Sequence, residues 1–387
     1  MKIGRLQPFI KMIGKIYSNL FFFFFIAQIF SPYVAGITIY LELIFALLDP
    51  FYRKWVISQK FDRKIYLALF LIPLFFLRPT ISIKLLSLAI SVSYLTYAYN
   101  NDNFYLNRYV CLSIFIAIAQ FVLFYYVPEA STVLGPTSIA TYIWGDYATP
   151  TFTNFYEVLG DFIRVSGLSR EAGFFASLIL GVIVLCYMEW SIEDKKIPKK
   201  FICLLIVAYL ISLSKMSLLI VPIFLIIWLR KTINAYPAIV VILMFFVFLI
   251  SLWYHSDYLA DPEHETFTHR FGAYGIMMDI DNPIDLLFGK KEMDPSDFNG
   301  DYARSYTGII DYLGGSFAGM GGYVLTNGII MTLFLLIILI NMNISTTGIL
   351  LLLVMTMNVQ MDTNQNFVSL TYFISLNYFR KKSYDMC

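Results

Sequence analysis

Across 387 residues the chain is 59% hydrophobic and 18% aromatic but only 14% charged, with a mean hydropathy of +0.70, which excludes an ordinary soluble domain. A net charge of +2 is no nucleic-acid footprint. Cys111, Cys186 and Cys203 fall inside apolar runs and Cys387 ends the chain, so neither a disulfide framework nor a metal-ligand spacing is present.

Apolar runs approaching the roughly 20 residues that cross a bilayer recur throughout, and ten-residue segments of period-two alternation do not. The expected fold is therefore all-α and polytopic, a single integral membrane domain over residues 1–387. Lys2, Arg5, Lys11 and Lys15 precede Phe21 to Phe25 in the manner of a signal peptide. The apolar character continues to Leu48, so two retained spans are expected at 17–30 and 33–48, around a Ser31-Pro32 turn. The phenylalanine run reads as a lipid-facing surface. After a basic loop holding Arg53, Lys54, Lys60, Arg63 and Lys64, further spans are expected at 65–78, 84–99, 109–127, 172–190, 201–214, 216–229, 236–254, 317–340, 346–360 and 366–379. With both termini cytoplasmic, these twelve spans leave 19 of the 28 Lys and Arg residues on the cytoplasmic side, as the positive-inside rule requires.

That topology sends two long segments outside, 128–169 and 255–316. Connections of such length are uncommon unless functional. In the second, Phe267, Phe271, Tyr274 and Met278 recur at helical spacing; the stripe would lie on the membrane surface or pack the loop onto the bundle. The same segment holds twelve Asp and Glu residues against four Lys and Arg.

Arg164, Arg170 and Glu171 stand at the mouth of the span beginning at 172. Ions at the edge of hydrocarbon are costly unless paired, solvated or used, although arginines there also snorkel to headgroups. If the two outer segments fold over one cavity, Arg164, Arg170, Arg270 and Arg304 would converge on an anionic group, for which the planar guanidinium fork is suited. Arg170 and Arg304 are each followed after ten residues by a glycine, Gly181 and Gly315. Lys215 interrupts an apolar stretch and marks a tight turn at the outer surface, or a site at membrane depth that needs an anionic partner. His255, His264 and His269 all lie in the second outer segment, as surface residues or as a base. His264 and His269 are one residue too far apart for the zinc-protease pattern, and no Gly-Lys-Ser/Thr phosphate loop is present. Neither a metal nor a cofactor is expected.

Several of these pieces, in this order, resemble the bacterial O-antigen and capsular repeat-unit polymerases. Arg164-x-x-Gly167-Leu168-x-x-Glu171 before a span resembles that family's R-x-x-G-L-F-x-E-P segment, with Ala172 in place of proline. Ser212 to Ser217 resembles its S-x-S-(R/K)-x-(G/S) segment, and Arg270 with Leu287-Phe288-Gly289 resembles an Arg and an L-F-G turn of its large outer loop. Tyr306-Thr307-Gly308 to Gly315 resembles its D-S-G-Y-x-x-x-L-x-x-x-G segment, with Tyr306 in place of the acid. The related O-antigen ligases carry a His-Asn pair near this point, where the chain has Tyr306-Thr307.

The resemblance implies a GT-C-like membrane glycosyltransferase of the cytoplasmic (inner) membrane. It would pass a growing glycan from undecaprenyl pyrophosphate to a new lipid-linked repeat unit on the outer face, beside the flippase and chain-length regulator of the same pathway. Arg164, Arg170, Arg270, Arg304 and Lys215 would hold pyrophosphate. Glu171 or His269 would take the acceptor proton, and Tyr302, Tyr306 and Tyr312 would contact sugar. An O-antigen ligase, a lipid-linked glycan flippase or transporter, and a membrane acyltransferase are the competing readings.

Overall fold

The computed structural model describes residues 6–34, 37–59, 79–149, 154–158, 162–238, 270, 273–274, 277, 282–289, 317–357 and 359–380. It is mostly helical, and among the described residues four helices are long and apolar enough to cross a membrane: Pro79–Asn100, Leu106–Tyr126, Ala172–Glu193 and Gly319–Asn341. The spans expected at 65–78 and 236–254 lie largely or wholly outside the described residues. The chain divides into two compact units, Met1–Ile220 with Asn364–Ile374, and Val221–Thr363 with Ser375–Cys387.

In the first unit α1 (Leu6–Ile26) is followed by a two-stranded hairpin, β1 (Tyr33–Val34) and β2 (Ile37–Thr38), with Tyr33 opposite Thr38. α2 (Leu41–Leu48) and α3 (Pro50–Ser58) come next. The span expected over 33–48 is thus a hairpin and a helix of eight residues. At 1.5 Å per residue α2 is about 12 Å long, well short of a hydrocarbon core of about 30 Å. β-branched Val34, Ile37 and Thr38 favour the pleat, and Asp49 ends α2 to start α3. Its carboxylate accepts from the N–H groups of Phe51 (2.9 Å) and Tyr52 (3.3 Å), with Pro50 at the first helical position.

α4 (Pro79–Asn100) and α5 (Leu106–Tyr126) follow. The Phe21–Phe25 run faces them rather than lipid alone. Phe21, Phe22 and Phe25 are fully buried, Phe21 stacks on Tyr94 with ring centres 4.1 Å apart, and Phe22 meets Phe104 edge-on at 5.1 Å. Tyr94 in turn donates to Asp49 at 2.9 Å. Lipid and protein interior are equally apolar, so hydropathy alone does not separate the two readings.

The segment expected as the first outer loop carries α6 (Pro128–Val133), α7 (Pro136–Trp144) and the hairpin of β3 (Tyr156–Val158) and β4 (Phe162–Arg164). It leads into α8 (Ala172–Glu193), whose apolar stretch is 83% buried. α8 is apolar around its circumference and buried along most of its length, with Trp190 and Ile192 exposed near its end. α9 (Lys199–Ile211) packs on it, and Leu213 takes a positive φ of 43° to end that helix. Lys215 then opens a short 3-10 turn and is exposed, the tight turn expected at that point.

The second unit contains α10 (Ile220–Trp228) from its second residue on, α11 (Arg230–Ala235), α12 (Pro283–Phe288), α13 (Gly319–Asn341) and α14 (Thr346–Met355). The last helix, α15 (Asn366–Tyr378), begins in the first unit and ends in the second. α13 is kinked at Gly328 (φ 85°). The turn after α12 fits into that kink so closely that a Cβ on Gly289 would lie 2.4 Å from the carbonyl oxygen of Thr326. Asn234 accepts from the N–H and hydroxyl of Thr347 at 3.0 and 2.9 Å, fastening α11 to α14.

Candidate anion-binding site

β4 ends at Arg164, α8 begins at Ala172, and the seven residues between them are not an exposed loop. Val165, Ser166, Leu168 and Ser169 are at most 3% exposed. Buried irregular backbone must find hydrogen-bond partners, and two side chains of α5 supply them. Gln120 accepts from the N–H groups of Gly167 (2.9 Å) and Ser166 (3.3 Å), and donates to the carbonyls of Gly167 (3.1 Å) and Leu134 (2.7 Å). Ser113 accepts from the N–H of Leu168 at 3.0 Å. At Gly167 the backbone turns with φ 54°, and a Cβ there would stand 2.6 Å from Ser113 Oγ. Only glycine meets both conditions.

This clamped segment sets out three charged side chains, all half-buried. Arg164 donates to Ser214 Oγ at 3.4 Å, so the Ser212–Ser217 segment meets the Arg164–Glu171 segment, 50 residues earlier in the chain. Arg170 donates to Thr38 Oγ1 at 2.9 Å and lies over the Tyr40 ring at 5.8 Å. Its Nε is buried and has no hydrogen-bond partner among the described residues. Glu171 is the residue before the first turn of α8 but makes no side-chain cap. Burial raises its pKa above the ordinary carboxylate value, while the charges of Arg170 and Arg164 pull it back part of the way. Both guanidinium groups therefore act on one carboxyl, at the positive end of a helix dipole. The arrangement suits an anion, with a proton-accepting group beside it.

Of the other expected site residues, Lys215 follows Ser214 directly and is exposed. Arg270 lies on helical backbone in the second unit and is half-buried. Tyr274, from the same stripe, packs its ring where a Cβ on Gly321 would meet it at 2.9 Å. His269, Tyr302, Arg304, Tyr306 and Tyr312 lie outside the described residues, as do Phe267, Phe271 and Met278.

Sequence reasoning missed Gln120, Ser113 and a second acid. Glu42, at the start of α2, is fully buried, and its Oε1 accepts from Gln28 (3.4 Å) and Asn364 (3.3 Å). Its one visible signal is a lone carboxylate at the head of the apolar run Leu41–Leu48. Comparison with family models, curated proteins and solved structures finds no match.

Proposed function

We propose that this chain polymerises undecaprenyl-pyrophosphate-linked oligosaccharide repeat units into a surface polysaccharide on the outer face of the bacterial cytoplasmic membrane. The observation that carries this reading is the clamped segment that brings Arg164, Arg170 and Glu171 to the head of α8, in the stretch that resembles the polymerases. The finer topology of twelve spans, GT-C-like and with both termini cytoplasmic, belongs to the same proposal.

The reaction needs no nucleotide. The acceptor hydroxyl oxygen attacks the anomeric carbon of the donor, whose bond to the pyrophosphate oxygen breaks, and the lipid pyrophosphate leaves with the electron pair. Arg164 and Arg170 offset the charge that develops on the leaving group. Glu171, ionised and of raised proton affinity, takes the hydroxyl proton. Arg270, Arg304 and Lys215 are proposed as further pyrophosphate contacts, His269 as the alternative base, and Tyr302, Tyr306 and Tyr312 as sugar contacts. A flippase and a chain-length regulator would supply substrate and set product length.

The test is disruption of the gene in its host, followed by gel analysis of the surface polysaccharide. Loss of the long-chain ladder with a single capped repeat remaining supports a polymerase. Loss of the capped repeat as well points to ligation or export, and an unchanged ladder rejects the assignment for that glycan. Complementation with Arg170→Ala, at matched membrane abundance, should leave the ladder absent.

A further inference from the structure

α13 is long and apolar enough to cross a membrane, but it is not one rod. Gly328 leaves the helical region with φ 85° and ψ 164°, nine residues after Gly319 and thirteen before Asn341. At 1.5 Å per residue these arms are about 14 and 20 Å long, so in a hydrocarbon layer of about 30 Å the break lies roughly 10–14 Å below the nearer edge. The end of α12 is fastened at that level. A Cβ on Gly328 would lie 2.3 Å from the carbonyl oxygen of Leu287, and one on Gly289 would lie 2.4 Å from that of Thr326. Each backbone occupies the place of the other's missing side chain. Non-helical backbone at such depth must be bonded or covered by protein. The Gly289 N–H donates to the Asp285 carbonyl at 2.7 Å, and the Gly328 carbonyl accepts from the Thr332 hydroxyl at 2.9 Å. Gln360 donates to the Gly322 carbonyl at 3.4 Å and to Thr326 Oγ1 at 3.1 Å.

The exposure of α12 is the reverse of that of a helix in water. Its one charged residue, Asp285, is half-buried, whereas Ile284, Leu287 and Phe288 are 60, 42 and 56% exposed. The same inversion marks α13 beyond the break, where Ile330, Leu333, Ile337 and Ile340 stand exposed at helical spacing. From Gly319 to Gly328 no residue of α13 is exposed. α12 thus presents exposed apolar side chains beside the half of α13 that has none. Asn282, also exposed, stands about 10 Å from Gly289 along the helix, and its Oδ1 accepts from the Ile284 N–H at 3.1 Å.

We propose that α12 is a re-entrant helix, docked on the break in α13 with Asn282 toward the membrane edge and Gly289 deepest, and that hydrocarbon chains of lipid cover its face of Ile284, Leu287 and Phe288. The connection expected wholly outside over 255–316 thereby has part of its length within the bilayer. This does not depend on the polymerase reading.

The experiment places the full chain in nanodiscs whose phospholipids carry a photoactivatable diazirine either at mid-chain or beside the headgroup, and maps adducts by peptide mass spectrometry. Leu333 and Ile337 are the internal standard for lipid contact. Adducts on Leu287 and Phe288 at levels near that standard are expected, with the mid-chain probe ahead of the headgroup probe. Adducts mainly from the headgroup probe would put α12 on the membrane surface, and none at all would put it in water; either result overturns the proposal. In a second arm, Leu287→Cys should react with a membrane-impermeant maleimide as slowly as Leu333→Cys, and far more slowly than a cysteine at the exposed Lys196 beyond α8. Reaction of Leu287→Cys at the rate of Lys196→Cys overturns it too. The wild-type adducts carry the test if Leu287→Cys does not fold.

Discussion

The carboxamide of Gln120 grips Gly167 at both ends of its residue, accepting from the N–H at 2.9 Å and donating to the carbonyl at 3.1 Å. A side chain of α5 thereby takes the place of a strand partner for buried backbone. Gln120→Leu keeps the bulk but strands the N–H groups of Ser166 and Gly167. At roughly 1–3 kcal/mol for each buried polar group left unpaired, the expected loss is about 3 kcal/mol. Thermal unfolding of the detergent-solubilised protein should show a clear fall in Tm, and an unchanged Tm would mean that the clamp contributes nothing.

Two glycines with φ of 54° separate backbone strain from crowding. Gly145 has open space where a Cβ would stand, whereas at Gly167 that atom would lie 2.6 Å from Ser113 Oγ and 2.7 Å from the Ser113 carbonyl oxygen. Gly145→Ala should cost only the backbone strain, about 1–3 kcal/mol. Gly167→Ala bears that strain plus a clash with α5 and should be expressed poorly or unfold far earlier. Equal Tm values for the two variants would contradict the packing around Gly167.

Glu171 gives the site a pH signature with a definite sign. Burial holds its proton to higher pH in the folded protein than in the unfolded chain. Folding is therefore most favoured below the ordinary carboxylate range, and stability declines as pH rises from the unfolded value through the folded one. Glu171→Gln should flatten that slope. If ionised Glu171 is the base, the acid limb of kcat/KM lies above the ordinary carboxylate range. Arg164→Ala or Arg170→Ala should move the limb to still higher pH, since each removes a charge that favours the carboxylate. A limb that moves to lower pH would separate the arginines from Glu171.

Much of this was legible one element at a time. The helices over 84–99 and 172–190 are present within α4 and α8, and α5 covers all of 109–127 but its last residue, because long apolar runs bounded by polar residues leave the backbone no other way to bond itself in hydrocarbon. Arg164, Arg170 and Glu171 declared themselves as charges at a span's mouth. What surrounds them did not. Gln120 reads as one polar residue inside an apolar helix, and its partner Gly167 is 47 residues away. Gln28 meets Asn364 across 336 residues. Such pairs depend on which helices become neighbours, which hydropathy does not encode. The expected span over 33–48 failed for a related reason: strand-forming Val34 and Ile37 are as apolar as a helix face, so composition continued where the helix did not.

The phenylalanine run offers a check on packing that is independent of any activity. Phe21 is fully buried and stacked on Tyr94, while Phe24 is only partly buried and stacks on Phe45 at 5.2 Å. Truncating a core aromatic typically costs about 3–5 kcal/mol, transfer and cavity together. Phe21→Ala should incur that loss, made larger by the aromatic pair it breaks and by the unsettled Tyr94 hydroxyl that serves Asp49. Phe24→Ala leaves a side of its cavity that lipid or neighbouring chains can fill, and should cost less than half as much. Measured side by side in the same detergent, the two Tm shifts should rank Phe21 well ahead of Phe24. Equal shifts would return the run to a lipid-facing surface and remove Phe21 from the centre of the first unit.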